Sequence, residues 1–474
     1  MRRLHTGVDP AVPKPRRGAT RAAARVPDAR APRREPPSAG GRVTTATRRA
    51  RTLVVVGHGM TGHRLVDGVR KRDTLGQWRV VVLAEERHPA YDRVGLSSYL
   101  AGKSRADLTL AGPEHLADPR LTLRLGCPAV AVDRARRSVR TADGDTVRYD
   151  ALVLATGSRP FVPPVPGRDL DGCFVYRTLD DLDLIRGAAR PGRSAVVVGG
   201  GLLGLEAAEA LRLLGMRPHV VEAAPHLMPA QLDAGAAEIL RRHADGLGMT
   251  PHCGTSLASV DARPDGRVGS VTLTDGTVLR ARLVVFAAGI RPRDELAATL
   301  GLPLGERGGL LVDAHCRTSD ERVWAVGECA AVNGRCHGLL APGNRMADLV
   351  AERLTGGTPP PFDDTETGTT LKLLGVRVAT FGSGRPAAGE RVVEVAFTEG
   401  TDRYAKVFLH PDSGVLLGGI LAGGTGSRAT LAPLVGRPAP SDLEQLLLPE
   451  IPSDPSDPSD PSDPSGRSRP SSGR

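Results

Sequence analysis

The sequence predicts an α/β chain of two parallel-sheet units followed by a small α+β unit. Three observations predict it. Short apolar runs alternate with helical stretches from about residue 52 to 365, the pattern of a parallel sheet with crossover helices. Two of those runs, Leu53–Val56 and Ala195–Val198, lead directly into Gly-x-Gly-x-x-Gly. From about residue 366 the texture changes to apolar runs broken by Gly-rich turns, which reads as antiparallel strands.

The elements follow in order. Leu53–Val56 and Val80–Leu83 are buried strands of the first unit, and Val147–Leu154 is a third, running into Ala155-Thr156-Gly157. Ala195–Val198 and His219–Val221 open the second unit. Leu283–Ala287 leads into Ala288-Gly289, and Val323–Val326 into Gly327-Glu328. Val392–Phe397, Ala405–Leu409 and Leu416–Leu421 are the strands of the third unit. No apolar run reaches the ~20 residues of a membrane-spanning helix.

The net charge of +10 invites a nucleic-acid reading, but residues 1–50 alone hold 13 Lys/Arg against 3 Asp/Glu, leaving 50 of each sign elsewhere. With aromatics at 3%, there is little to stack on bases. Residues 1–50 read as a disordered basic arm and 452–474, a Ser-Asp-Pro repeat, as a disordered tail. Arg2-Arg3 is followed by no apolar stretch, so no export signal is evident. The six cysteines are scattered without a C-x-x-C, which argues against a disulfide framework, a zinc site or an iron–sulfur cluster; no metal site is expected, and the localisation reads as cytoplasmic.

The motifs are Gly57-His-Gly59-Met-Thr-Gly62 and Gly199-Gly-Gly201-Leu-Leu-Gly204. In a chain with 57 glycines the bare pattern is expected about once by chance. Context makes the difference: each follows a strand, opens a helix and is followed by an acid at the end of the next strand. Such a turn aims backbone N–H groups and a helix dipole at a pyrophosphate, and the acid takes ribose hydroxyls. In the first unit that acid is Glu85 or Glu86, and in the second Glu222. Two Rossmann-like dinucleotide-binding domains imply two dinucleotides, a flavin and a nicotinamide. Glu222 favours NADH, since a 2′-phosphate would meet a carboxylate with no Arg or Lys in Ala223-Ala224-Pro225-His226.

With these residues in view, the chain resembles the two-dinucleotide flavoprotein reductases related to glutathione reductase, and within them the amino-terminal half of the NADH-dependent nitrite reductase large subunit. The resemblance rests on AYDRVGLSSYL (90–100), ATGSRPFVPPVPG (155–167), CFVYRTLDDLD (173–183), FAAGIRPRDELA (286–297), VWAVGECA (323–330), GLLAPGNRMA (338–347) and LKLLGVRVATFG (371–382), besides the glycine motifs. It implies FAD and NADH as cofactors, Arg93 at the FAD phosphates, Arg177 along the FAD, and Thr156 and Gly157 where the chain passes to it. Gly327 and Glu328 would hold the ribityl chain, Val130 joins the FAD set, and Glu206 and Gly289 join the NAD set. Cys329 would lie near the flavin as an inert thiol. It also implies an FAD-binding domain of 52–163 and 287–365 split around an NAD-binding domain of 164–286, with an interface domain of 366–450.

The departures narrow the chemistry. Disulfide-reducing relatives carry a redox Cys where this chain has Leu96-Ser97-Ser98-Tyr99, and Ser98 replaces a Lys found in many ferredoxin-type reductases. Full-length nitrite reductase subunits continue into iron–sulfur and sirohaem segments, so these residues read as the electron-entry half. Hydride transfer needs the two rings held about 3–3.5 Å apart and dry more than it needs acid–base groups, so no catalytic side chain is expected. The expected partner is a separate redox acceptor: a sirohaem/iron–sulfur or molybdenum reductase, or a ferredoxin-like protein. A homodimer is compatible with the pattern. The rival readings are a ferredoxin- or rubredoxin-type NADH reductase and a non-catalytic NADH-sensing flavoprotein.

Overall fold

The computed structural model describes residues 49–363, 368, 370–384 and 389–447. The expected arm and tail lie outside these residues, save Arg49 and Ala50. The first sheet is parallel and five-stranded, in the order Val323–Ala325, Ala151–Leu154, Arg51–Val56, Trp78–Leu83, Leu121–Arg124. The second has the order Thr250–Cys253, Arg217–Glu222, Ser194–Val198, Leu283–Phe286, Cys173–Val175. Their central strands, LVVV and AVVV, are buried on both faces, as a sheet covered on both sides requires; in the second unit one of those covers is an antiparallel sheet. Each first βα turn leads into an amphipathic helix, Met60–Arg72 or Leu202–Leu213. Helix Met60–Arg72 packs along helix Leu340–Leu354 and is pinned to it by Arg64, whose Nε and Nη2 donate to the two Asp348 oxygens at 2.9 and 2.7 Å.

The third unit is an antiparallel five-stranded sheet, in the order Thr370–Leu373, Val376–Gly382, Leu416–Ala422, Arg403–Leu409, Val393–Glu399. It meets the second unit where Tyr404 Oη donates to Asp233 Oδ2 at 2.6 Å; Asp233 also caps the helix Ala234–Gly246.

One expected strand is two. Thr146–Arg148 belongs to an antiparallel three-stranded sheet with Ala129–Asp133 and Ser138–Thr141, and only Ala151–Leu154 joins the parallel sheet. Between them the Tyr149 N–H turns to the Arg137 carbonyl, and the Asp150 carboxylate accepts the Thr52 N–H at 2.8 Å. Both sheets thereby take hydrogen bonds from one continuous apolar run. A similar antiparallel sheet, Leu257–Ala262, Val268–Leu273 and Val278–Arg280, follows the second unit's strand Thr250–Cys253.

Candidate functional site

The glycines of the two fingerprints divide by what surrounds them. Gly57 has φ +105°, and a Cβ there would lie 2.1 Å from the Ala155 carbonyl oxygen; a Cβ on Gly62 would lie 2.4 Å from the Gly57 oxygen. Gly199, at φ +112°, and Gly204 are crowded in the same way by the Ala287 and Gly199 oxygens at 2.4 and 1.9 Å. The protein's own backbone therefore accounts for the first and third glycine of each motif. It does not account for the middle ones. A Cβ on Gly59 would come no nearer than 3.9 Å to Arg93 Nε, and one on Gly201 would meet nothing within 4 Å. Both residues cap their helices with extended backbone and no side-chain hydrogen bond, and neither helix carries an acid in its first turn. Two helix N-termini are thus left with bare donors and open space, as bound pyrophosphates require.

A cavity of about 1860 Å³ runs from the first turn toward the third sheet. Its wall includes every residue expected of the FAD site: Gly57, Gly59 and Gly62; Glu85, Glu86 and Arg93; Val130; Thr156 and Gly157; Arg177; and Gly327 and Glu328. Glu206 and Gly289, expected of the NAD site, lie on the same wall. Gly199, Gly201, Gly204 and Glu222 do not; they form the second turn, outside this lining.

The charged residues of the cavity come pre-paired. Arg177 Nη2 donates to Glu328 Oε2 at 2.5 Å and to Ser158 Oγ at 2.8 Å, and that hydroxyl donates to the same carboxylate oxygen. Arg177 Nε is buried without a hydrogen-bond partner, an orphan donor that a polar ligand would satisfy. Arg93 pairs with Glu86, donates to the Arg177 carbonyl at 3.0 Å and lies over the Tyr91 ring; Tyr91 Oη donates to Glu86 Oε2 at 2.7 Å. Glu85 is paired with Arg293. In the second turn Glu222 has no arginine partner among the described residues. Its oxygens accept the N–H of Gly200 at 2.7 Å and of Ala224 at 2.8 Å.

Glu206 is partly buried on helix Leu202–Leu213. Burial, and then the nearby Asp92 carboxylate, pushes its pKa up to about 7. Ser97 and Ser98 sit on the short helix Leu96–Leu100 that packs against Glu206's helix, and bring no cation. Cys329 is fully buried, its thiol 3.4 Å from the Leu154 and Val326 carbonyls, and burial raises its pKa. That environment fits an inert thiol.

Two residues of the wall escape sequence reading. Ser158 follows the Ala155-Thr156-Gly157 turn and bridges Arg177 to Glu328. Arg293 sits in the GIRPR segment, where its N–H donates to the Gly157 carbonyl at 2.9 Å, its carbonyl accepts the Thr156 hydroxyl, and its guanidinium reaches Glu85. The second basic residue of that segment was the available signal.

Among known proteins, the chain is 46% identical over 404 residues to the nitrite reductase [NAD(P)H] large subunit of Klebsiella oxytoca, covering 84% of this chain and 42% of that one. It is 32% identical over 381 residues to the assimilatory nitrate reductase electron transfer subunit of Bacillus subtilis, covering 80% and 48%. The chain thus spans less than half the length of these curated relatives. Among solved structures, a NAD-dependent persulfide reductase from A. fulgidus superposes with a TM-score of 0.74 at 26% identity, covering 82% of this chain and 77% of that one. Residues 51–348 match the family model for pyridine nucleotide-disulphide oxidoreductases. With its two strand–glycine turn–helix units, the chain belongs to the pyridine nucleotide-disulphide oxidoreductase family and is an NAD(P)H-dependent oxidoreductase.

Proposed function

We propose that this protein takes hydride from NADH onto FAD and passes the electrons to a separate redox protein of nitrite or nitrate assimilation. One observation carries the reading: Glu206 and Gly289, from the nicotinamide set, share one cavity wall with the whole flavin set. A donor held by the second turn and an acceptor held by the first would meet in that cavity. Bound there, FAD supplies a two-electron acceptor for nicotinamide hydride that can hand electrons on singly to a metal centre.

The residues would divide the work as follows. Gly57, Gly59 and Gly62 hold the FAD pyrophosphate at the first helix terminus, with Arg93 beside it. Glu85 or Glu86 takes the ribose, Arg177 and Glu328 flank the ribityl chain, and Val130, Thr156, Gly157 and Gly327 close the wall. Gly199, Gly201 and Gly204 hold the NADH pyrophosphate, and Glu222 accepts from its ribose. Glu206 and Gly289 border the place where the rings meet. The FAD-binding domain is 52–163 with 287–365, split around the NAD-binding domain 164–286, and 366–450 is the surface for the acceptor. The relatives' names support nitrite or nitrate assimilation as the setting. No helix among the described residues is long and apolar enough to cross a membrane, and a cytoplasmic location suits an NADH-fed enzyme.

The purified protein should be yellow and should bleach anaerobically on adding NADH. A sirohaem or molybdenum reductase added to it should couple NADH oxidation to nitrite or nitrate consumption. A protein that cannot be loaded with FAD sinks the reading. Coupling only to a ferredoxin would move the acceptor to that class, and a long-lived reduced complex that turns over slowly with ferricyanide would make it a sensor.

A further inference from the structure

Three histidines with no part in the hydride path meet beside the first glycine turn. His58 is the residue between Gly57 and Gly59, His63 lies in the first turn of helix Met60–Arg72, and His115 lies on the short helix Pro113–Leu116. The His63 and His115 rings are 4.8 Å apart between centroids, edge to face; His58 lies 5.7 Å from His63 and 6.3 Å from His115. One possible ligand nitrogen from each ring lies within 4.8 Å of those of the other two. His58 Nε2, His63 Nδ1 and His115 Nε2 are each buried with no hydrogen-bond partner. Buried polar atoms are nearly always satisfied, and three orphans in one cluster are an unusual concentration. Burial is the first cause lowering the pKa of all three rings, His58 to about 3. They therefore stand neutral near pH 7, each with a lone pair to give.

We propose that His58, His63 and His115 bind one divalent transition-metal ion of the zinc type, with a fourth position open to water. Three imidazoles without a carboxylate among them suit zinc, nickel or copper(II) and not magnesium or calcium, which demand oxygen ligands. Asp67 lies close enough to act electrostatically on His63 and His115, while its carboxylate pairs with Lys71 at 2.7 Å. Tetrahedral zinc, with Zn–N of about 2.0–2.1 Å, holds its donors roughly 3.4 Å apart. The three nitrogens must therefore draw in from their separations of up to 4.8 Å, a closure of side chains and not of the fold.

Binding has one stated cost. The Ala90 N–H donates to His58 Nδ1 at 3.2 Å, so the neutral ring carries its proton on Nε2. Ligation through Nε2 moves that proton to Nδ1 and breaks the Ala90 contact. Ala90 precedes the Tyr91-Asp92-Arg93 segment, so the ion would couple to the segment that carries Arg93.

The test uses the flavin-loaded full chain, free of any histidine tag and stripped with a chelator. Titration with zinc chloride alone should show one equivalent bound and retained through gel filtration. His63→Ala and His115→Ala should each weaken it by at least about tenfold, while His252→Ala, in the separate His219–His252 pair, should not. Neither His63 nor His115 lines the flavin cavity, so FAD content and ferricyanide turnover should stay within about twofold of wild type. Wild-type protein loaded with cobalt(II) should show tetrahedral ligand-field bands to the red of the flavin absorption. Absence of a stoichiometric ion or of those bands in wild type overturns the proposal, whatever the variants do. So does zinc binding that survives both the His63 and His115 substitutions.

Discussion

The two glycine turns are nearly the same backbone with opposite electrostatics. In the first, each acid at the end of the second strand has an arginine: Glu86 has Arg93 and Glu85 has Arg293. In the second, Glu222 is held by two peptide N–H groups and has no arginine partner among the described residues. The helices differ likewise. Two residues past the third glycine, the first has Arg64, exposed and paired with Asp348, while the second has Glu206, partly buried, facing the cavity, with no ion-pair partner among the described residues. The first turn is electrically finished within the protein. The second holds two carboxylates, Glu222 and Glu206, with no arginine pair among the described residues, the contrast that a resident FAD and an exchanging NADH would call for.

The sharpest way to break the comparison lies in the glycines. Gly57→Ala places a methyl group against the Ala155 carbonyl at a strained φ and should cost roughly 3 kcal/mol or more of stability, seen as a lowered melting temperature and lost flavin. Gly201→Ala has open space and an ordinary extended φ of −79°. It should leave the melting temperature and flavin content nearly unchanged and raise the KM for NADH. Equal destabilisation by both would mean that Gly201 too is a packing residue.

Glu206 makes the next difference measurable by pH. Its folded pKa of about 7 lies above the ordinary value of 4.5. Between these values the folded chain holds a proton that the unfolded chain has lost. Stability from this group is therefore present at low pH and is lost as pH rises through the folded value. The full window corresponds to on the order of 3 kcal/mol. Glu206→Gln should gain stability relative to wild type between about pH 5 and pH 8; parallel melting curves across that range would show that the carboxyl is solvated. Arg64→Gln, at the matching place in the first unit, should add less than about 1 kcal/mol of pH-independent change.

Much of this was legible in the sequence, and the limits are physical. The strands LVVV and AVVV, both turns and both following acids are local patterns, since a motif of six residues fixes its own backbone. The residues expected of the flavin site, named from the glycine pattern and from the family resemblance, line one cavity. The partners of those residues were not legible. Nothing in the spacing joins Glu85 to Arg293 or Ser158 to Glu328, because those contacts are made by topology. The Val147–Leu154 run misled for the same reason: both sheets it serves want apolar residues, and only the hydrogen bonds of Tyr149 and Asp150 reveal the break. The histidine cluster is the extreme case. His58 and His63 are five residues apart and His115 comes from another helix, so no ligand spacing announces them.

Within the first unit, Glu86→Gln and Glu85→Gln should separate two acids that sequence could not. Glu86 anchors Arg93, a partly buried guanidinium, together with the Tyr91 hydroxyl. Weakening that anchor should cost about 2 kcal/mol and loosen FAD. Glu85 and Arg293 are more exposed, and their pair is worth at most about 1 kcal/mol. If Glu85→Gln nonetheless loosens FAD more, Glu85 is the ribose acid and Glu86 serves Arg93.

A modest effect in energy bears most directly on the choice of nucleotide. Glu222 accepts from Gly200 and Ala224 with its two oxygens, which fixes the carboxylate at the end of its strand with lone pairs left for a ribose. A 2′-phosphate brought there would meet like charge, and Ala223-Ala224-Pro225-His226 supplies no Arg or Lys to offset it. NADH should therefore exceed NADPH by at least about tenfold in kcat/KM for dye reduction, a difference of about 1.4 kcal/mol. Glu222→Gln keeps the shape and removes the charge, so it should narrow the ratio mainly by improving NADPH. Glu222→Arg should narrow it further or invert it, with some loss of rate because Gly200 and Ala224 lose their acceptor. The order of the three proteins is the discriminating result. If Gln and Arg both lower NADH and NADPH turnover by the same factor, Glu222 serves only to brace the second glycine turn, and the contrast with the arginine-paired acids of the first turn carries no information about the nucleotide.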